Sequence, residues 1–165
     1  NVSFLKDTAK ITNAFLSDIS LDEATMKILA EEVRSQKYFL HGSTREQKMR
    51  LSLKSIYLNP QTMWFTLQVR NKSLINYRPG YIRFFIRDRK RTKRTAVQEN
   101  ELQPDYQGET GIIAGQSSSK FILAFTPFTI PKSKELIIQV TEQNGGRSLL
   151  LPVKYKTILK AKLLQ

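Results

Sequence analysis

The chain has 165 residues and a mass of 19.1 kDa, the size of one globular domain with at most a short appendage. Its 40% apolar content, with 9 Phe, 6 Tyr and 1 Trp, is enough for a core and excludes a disordered or low-complexity polymer. Cysteine is absent, which excludes disulfide frameworks, zinc ribbons and thiol catalysis, and 27 Lys plus Arg against 14 Asp plus Glu leave a formal charge of +13, which favours an acidic partner: nucleic acid, anionic membrane or acidic protein.

The amino end, Asn1-Val2-Ser3-Phe4-Leu5-Lys6, has no initiator Met and no apolar signal-peptide core. It reads as a cut or processed end, with any export signal upstream of it. The first element is a helix over Leu21 to Ser35, where Leu21, Ala24, Ile28, Leu29 and Val33 recur at helical spacing and Ser20 with Glu23 form a capping box. Composition shifts near residue 45, so residues 1–45 read as a helical arm or linker remnant and residues 46–165 as a β-sandwich domain.

Beyond that point the apolar period is two. In residues 49–58, Leu51 and Leu53 hold one phase and Ile56 and Leu58 the other, which predicts a strand with a β-bulge at Lys54-Ser55. After a turn at Asn59-Pro60, Met63, Phe65, Leu67 and Val69 alternate with Trp64, Thr66, Gln68 and Arg70. Arg78-Pro79-Gly80 reads as a turn, followed by Ile82, Phe84 and Ile86 alternating with Arg83, Phe85 and Arg87. Turn signals at Gln107-Gly108 and Gly115 to Ser119 precede a strand through Phe121, Leu123 and Phe125; Pro131 precedes Leu136, Ile138 and Val140. Asn144-Gly145, two residues tolerant of positive φ, then predicts a hairpin into Leu149, Leu151 and Val153. Thr157 to Gln165 is open between an edge strand, a short helix and a frayed tail. About seven strands without intervening helices, preceded by one short helix, predict a mainly β fold: an antiparallel, immunoglobulin-like β-sandwich. No apolar run approaches the ~18 residues that cross a bilayer.

Catalytic chemistry is thinly supplied. The single histidine, His41, sits in a loop beside Gly42 and Ser43, and no phosphate-cradling glycine loop, nucleophile elbow or His-Glu-x-x-His pair occurs. Asp88, Glu99, Glu101, Asp105 and Glu109 are concentrated in one stretch, where they read as neutralising the basic run beside them rather than as a metal or paired-carboxylate site. The sequence therefore reads as a non-enzyme, with no catalytic residue, metal or cofactor assigned.

That basic run is the most distinctive feature. Arg83, Arg87, Arg89, Lys90, Arg91, Lys93 and Arg94 concentrate like charge that must be screened, paired or met by an anion. Three readings stay open. The stripe docks an acidic protein, it contacts nucleic-acid phosphates without reading sequence, or it is a solvated hairpin end with Glu99 and Glu101 folded back as counter-charges. Phe84, Phe121 and Phe125 take core phases and are not free to stack on bases, which weakens the nucleic-acid reading. Trp64, Tyr57 and Phe85 fall on the opposite phase, either as an exposed aromatic patch or beneath the 1–45 arm.

Several strings carry a family resemblance: Ile56-Tyr57 followed by Trp64-Phe65, Arg70-Asn71-Lys72-Ser73, Ile75-Asn76-Tyr77, Ile82 through Lys90, Lys93-Arg94-Thr95-Ala96-Val97-Gln98-Glu99, and Glu142-Gln143-Asn144-Gly145-Gly146-Arg147. Over roughly Leu51 to Val153 the chain resembles the TraN family of conjugative-transposon proteins, itself similar to the outer-membrane core subunit of type IV secretion systems. The resemblance implies the carboxy-terminal sandwich of an exported, periplasmic, outer-membrane-associated scaffold. Its implied partners are other conjugation-channel subunits, a lipoprotein among them, in an oligomeric complex. It implies no catalytic residues. The sequence thus leads to a structural subunit of a conjugative DNA-transfer apparatus, with a nucleic-acid-binding module using residues 83–94 as the alternative and a carbohydrate- or anion-binding sandwich as a third class.

Overall fold

The computed structural model describes residues 23–90 and 98–165. Helix α1 spans residues 23–35. There follow β1 (Ser43–Glu46), β2 (Met49–Leu58), β3 (Met63–Asn71), β4 (Pro79–Asp88), β5 (Asn100–Leu102), β6 (Tyr106–Gln107), β7 (Ser117–Phe125), β8 (Lys134–Glu142), β9 (Ser148–Lys154), the single turn α2 (Tyr155–Ile158) and β10 (Lys162–Leu163). They form two sheets: β1-β2-β3-β7-β6, with β10 also on β2, and β5-β4-β8-β9.

Period-two alternation dictates the packing. Leu51, Leu53, Ile56, Met63, Phe65, Leu67, Val69, Phe121, Leu123 and Phe125 line the inner face of the larger sheet. Ile82, Phe84, Leu136, Ile138, Val140, Leu149, Leu151 and Val153 line that of the smaller. The two rows share one core, as two sheets packed face to face require. Phe84 of β4 reaches between Phe65 and Phe125, with ring centroids 5.0 Å and 4.5 Å away, so aromatics of both sheets interlock at its centre.

The predicted bulge is present. Register along β2–β3 shifts between Leu53 and Ser55, which returns Ile56 to the core face, and the freed Lys54 carbonyl accepts the N–H groups of both Phe39 and Leu40 at 3.1 Å. The Asn59 turn is an Asx turn in which Asn59 Oδ1 accepts the backbone N–H groups of Gln61 and Thr62.

Several expectations need correction. Among the described residues strands number ten rather than about seven, because β1, β5, β6 and β10 are two to four residues long, too short for alternation to register. The sandwich is antiparallel except for β10, which pairs parallel to β2, so the tail is both a helical turn and an edge strand. Pro79-Gly80 opens β4 instead of forming a turn, and the irregularity they introduce is a register shift between Pro79 and Ile82. Ser117 to Ser119 belong to β7, and Gln107 to β6. The hairpin at Asn144-Gly145 exists, but only Asn144 adopts positive φ, at 54°. The boundary between residues 45 and 46 falls inside β1, and α1 packs on the sandwich. Leu21 and the capping-box Ser20 lie outside the described residues, and Glu23 opens the described part of α1.

Candidate functional site

β4 carries the amino-terminal half of the basic stripe, and strand geometry decides what those cations can do. Arg83 and Arg87 project from the outer face of the smaller sheet with Phe85 between them. Arg83 lies opposite Gln139 and donates to Gln139 Oε1 at 3.0 Å, Glu101 Oε1 at 3.0 Å and Glu99 Oε2 at 3.4 Å. Its hydrogen bond to Glu101, above all, pushes its pKa up, and its guanidinium sits 4.8 Å from the Phe85 ring centroid. Arg87 lies opposite Glu135 and pairs with it at 3.3 Å. These two arginines are neutralised where they stand. Phe85, 3% exposed, lies beneath this polar layer and not, among the described residues, under the amino-terminal arm.

The end of the strand differs. Arg89 is tied to the β7–β8 connection through its backbone N–H to Ser133 O at 3.0 Å and Nη1 to Lys132 O at 3.4 Å. Arg89 and Lys90 are exposed and, with Lys132, Ser133 and Asp88, line an open cleft of about 690 Å³. Asp88 pairs with Lys134 at 3.5 Å. Three cations thus surround a cleft of the size that takes small ligands or partner side chains. Arg91, Lys93 and Arg94 lie outside the described residues.

The other sequence candidates are dispersed. Asp105 accepts from Thr126 Oγ1 at 3.1 Å, far in role from Glu99 and Glu101 on Arg83, and Glu109 is exposed. His41 is exposed and lines a shallow cleft with Leu40, Leu151, Pro152 and Thr157. Among the described residues no group of three His, Cys, Asp or Glu side chains is placed to hold a metal ion. Trp64 and Tyr57 are buried on the outer face of the larger sheet beneath Ala30 and Val33 of α1. Tyr57 Oη donates to Lys37 O, and Trp64 Nε1 donates to Thr62 Oγ1 at 2.7 Å, so neither ring is offered to a ligand.

Two features escape a reading of the sequence. The first is the edge at β9, the last strand of the smaller sheet and, at 7 residues, the longest edge strand among the described residues. Glu142 N–H bonds to Arg147 O, which fixes the pairing phase: Leu149, Leu151 and Val153 bond toward β8, while Ser148, Leu150, Pro152 and Lys154 turn their backbone outward. Pro152 has no N–H to offer, so the open edge is interrupted at one outward position.

The second is a buried arginine. Arg147 is 9% exposed, and each of its five N–H donors finds an acceptor. Nε and Nη2 bond the Glu142 carboxylate, Nη1 reaches Ser73 Oγ at 3.0 Å and Ile75 O at 3.3 Å, and Nη2 also reaches Asn76 O at 2.8 Å. Asn71 completes the knot, donating to Ile75 O at 2.8 Å and Ile113 O at 3.1 Å and accepting from Ser73. Tyr77 Oη donates to Arg147 O at 3.2 Å; burial, with the Glu142 charge adding to it, pushes the phenol up to about 12. The motif strings at residues 70–77 and 142–147 therefore meet in space. Their conspicuous polar residues hold the β3–β4 loop to the β8–β9 turn.

A protein-family profile described as a domain of unknown function, DUF4138, matches residues 22–163, which takes in the ten strands, α2 and the described length of α1. No curated protein matches the chain.

Proposed function

We propose that this chain, which belongs to the DUF4138 family, is a non-enzymatic structural subunit of a conjugative DNA-transfer apparatus of type IV secretion kind, exported to the periplasm and docked to other channel subunits. The single observation that carries the docking half of this reading is the β9 edge, which no strand among the described residues covers. Its outward N–H and C=O groups supply main-chain affinity for an added partner strand, while Pro152 limits unwanted self-pairing. The cleft lined by Arg89, Lys90 and Lys132 lies at the end of β4, where a rim of cations raises association rate and selects acidic surfaces. The conjugative setting rests on the resemblance to the TraN family, and the compartment rests on it too.

Charge reversal at Arg89, Lys90 and Arg91, followed by pull-down of co-expressed channel subunits, tests the reading. Loss of recovery with an unchanged thermal melt supports it. Unchanged recovery removes the basic rim from it. A salt titration with random duplex DNA tests the nucleic-acid alternative, which requires micromolar binding with a steep log–log salt slope.

A further inference from the structure

The clamp around Arg147 holds something out to solvent. In the β3–β4 loop, Leu74 is 86% and Ile75 71% exposed, two adjacent large aliphatic side chains at a convex tip. Ile112 of the segment bridged to Tyr77 is a further 53% exposed. Isolated exposed aliphatics are ordinary, but these sit on an unusually fixed backbone. Ile75 O accepts from both Asn71 and Arg147, Asn76 O from Arg147, Ser73 O from Gln116 N–H at 3.0 Å and Lys72 O from Gln116 Nε2 at 2.7 Å. A Cβ on Gly115 would stand 2.7 Å from Leu74 O, so the neighbouring loop is pressed against the tip. The network uses main-chain atoms and leaves both aliphatic side chains outside it.

The same end of the sandwich is cationic. Arg45, Arg50 and Arg70 lie directly opposite one another across β1, β2 and β3 on the outer face of the larger sheet, a ladder of like charge that costs stability when unmatched. None of the three forms an ion pair among the described residues, and the buried Arg50 Nε has no hydrogen-bond partner there. Exposed Lys48, Lys72 and Arg78 stand in the flanking turns. Of the acids, Glu142 is spent on Arg147, Glu46 takes the opposite face of β1 from Arg45, and Glu109 is exposed in the β6–β7 connection.

We infer that this end of the domain docks on an anionic lipid surface, with Leu74 and Ile75 entering the acyl boundary and Arg45, Arg50, Arg70, Lys48, Lys72 and Arg78 meeting the headgroups. A convex aliphatic tip ringed by cations matches a fluid apolar layer beneath a negative plane better than it matches a preformed protein pocket. A tip that is already ordered loses little entropy on insertion. Lipid docking at this end does not depend on the conjugative setting.

Vesicle flotation tests it. The domain should float with vesicles of phosphatidylcholine containing phosphatidylglycerol, weakly with phosphatidylcholine alone, and less as salt rises. Leu74→Ser with Ile75→Ser keeps the net charge and should lower partitioning about tenfold or more while leaving the thermal melt unchanged, because the clamp bonds only to the backbone there. Lys72→Glu with Arg78→Glu should lower it further at low salt. Equal flotation of the aliphatic double variant would reduce the effect to unspecific charge attraction and overturn the inference, as would absence of binding to the anionic vesicles at low salt. Capture of a protein partner that depends on Leu74 and Ile75, without vesicle binding, would overturn it too.

Discussion

The buried Arg147 and the partly buried Glu142 form an ion pair across the β8–β9 turn, and the arginine spends its remaining donors on the loop that leads from one sheet to the other. Removing one partner of such a pair is strongly destabilising, because an uncompensated charge stays behind, and here Asn76 O loses its donor while Ile75 O keeps Asn71. Arg147→Ala should therefore cost about 3–5 kcal/mol, read as a fall in urea midpoint at unchanged m-value. Arg147→Lys should recover only part of it, since an ammonium cannot bridge Glu142, Ile75 and Asn76 at once.

The same knot sets a pH dependence on both flanks. The hydrogen bond from Arg147 holds the Glu142 carboxyl below the usual carboxylate range, so its contribution is complete above the unfolded value of about 4.3 and is lost as pH falls through the depressed folded value. Tyr77 runs the other way. Its folded pKa is raised to about 12 from 10.0, so the unfolded phenol ionises first and stability falls as pH climbs from about 10 toward 12. Urea melts across pH should show both losses. Glu142→Gln should flatten the acid limb, and Tyr77→Phe the alkaline one.

Gly145 has ordinary negative φ, so its smallness serves space and not backbone freedom. An added Cβ would lie 2.2 Å from Glu142 Oε1 and 2.4 Å from its carboxyl carbon. Glutamate ends usually swing aside at little cost, but this one is held by Arg147. Gly145→Ala should destabilise by about 1–3 kcal/mol. At Gly146 a Cβ would meet open space, so alanine should be almost neutral there; the pair of melts checks the difference.

The β1–β2 hairpin turns through Gln47 and Lys48, both with positive φ, at 47° and 61°. These are the backbone requirements of a type I′ turn, met here by residues that resist them. Gln47→Asn with Lys48→Gly should stabilise by about 1 kcal/mol, measured as a raised melting temperature, because the bond from Lys48 into the β3–β4 loop is made by its carbonyl and survives the change.

That hairpin also illustrates what a sequence can and cannot announce. Long strands are legible because a core on one side forces every second residue apolar, and the bulge shows as a slipped phase between Leu53 and Ile56. β1 carries neither an Asn-Gly signal nor room for alternation, so it is invisible. Arg83 and Arg87 look like free cations in the sequence because Glu135 and Gln139 come from a strand about fifty residues away, although Glu99 and Glu101 are near enough to suggest a counter-charge. Arg147 is hidden for a deeper reason. Two of its partners, Ile75 O and Asn76 O, are backbone carbonyls, which leave no mark in residue type, and the surrounding Asn-Gly-Gly reads only as a turn. The open edge of β9 follows from strand order, which a single sequence does not encode locally.

The most direct test of the docking account is site-specific photocrosslinking in cells that carry a complete set of conjugative-transfer genes. Probes replace Leu150 on the β9 edge and Lys90 at the basic cleft, with a control at exposed Gln61 in the β2–β3 turn. Adducts to other transfer-channel proteins from the first two positions, and not from the control, are the predicted result. Adducts to nucleic acid alone, or none from either position, would contradict the account.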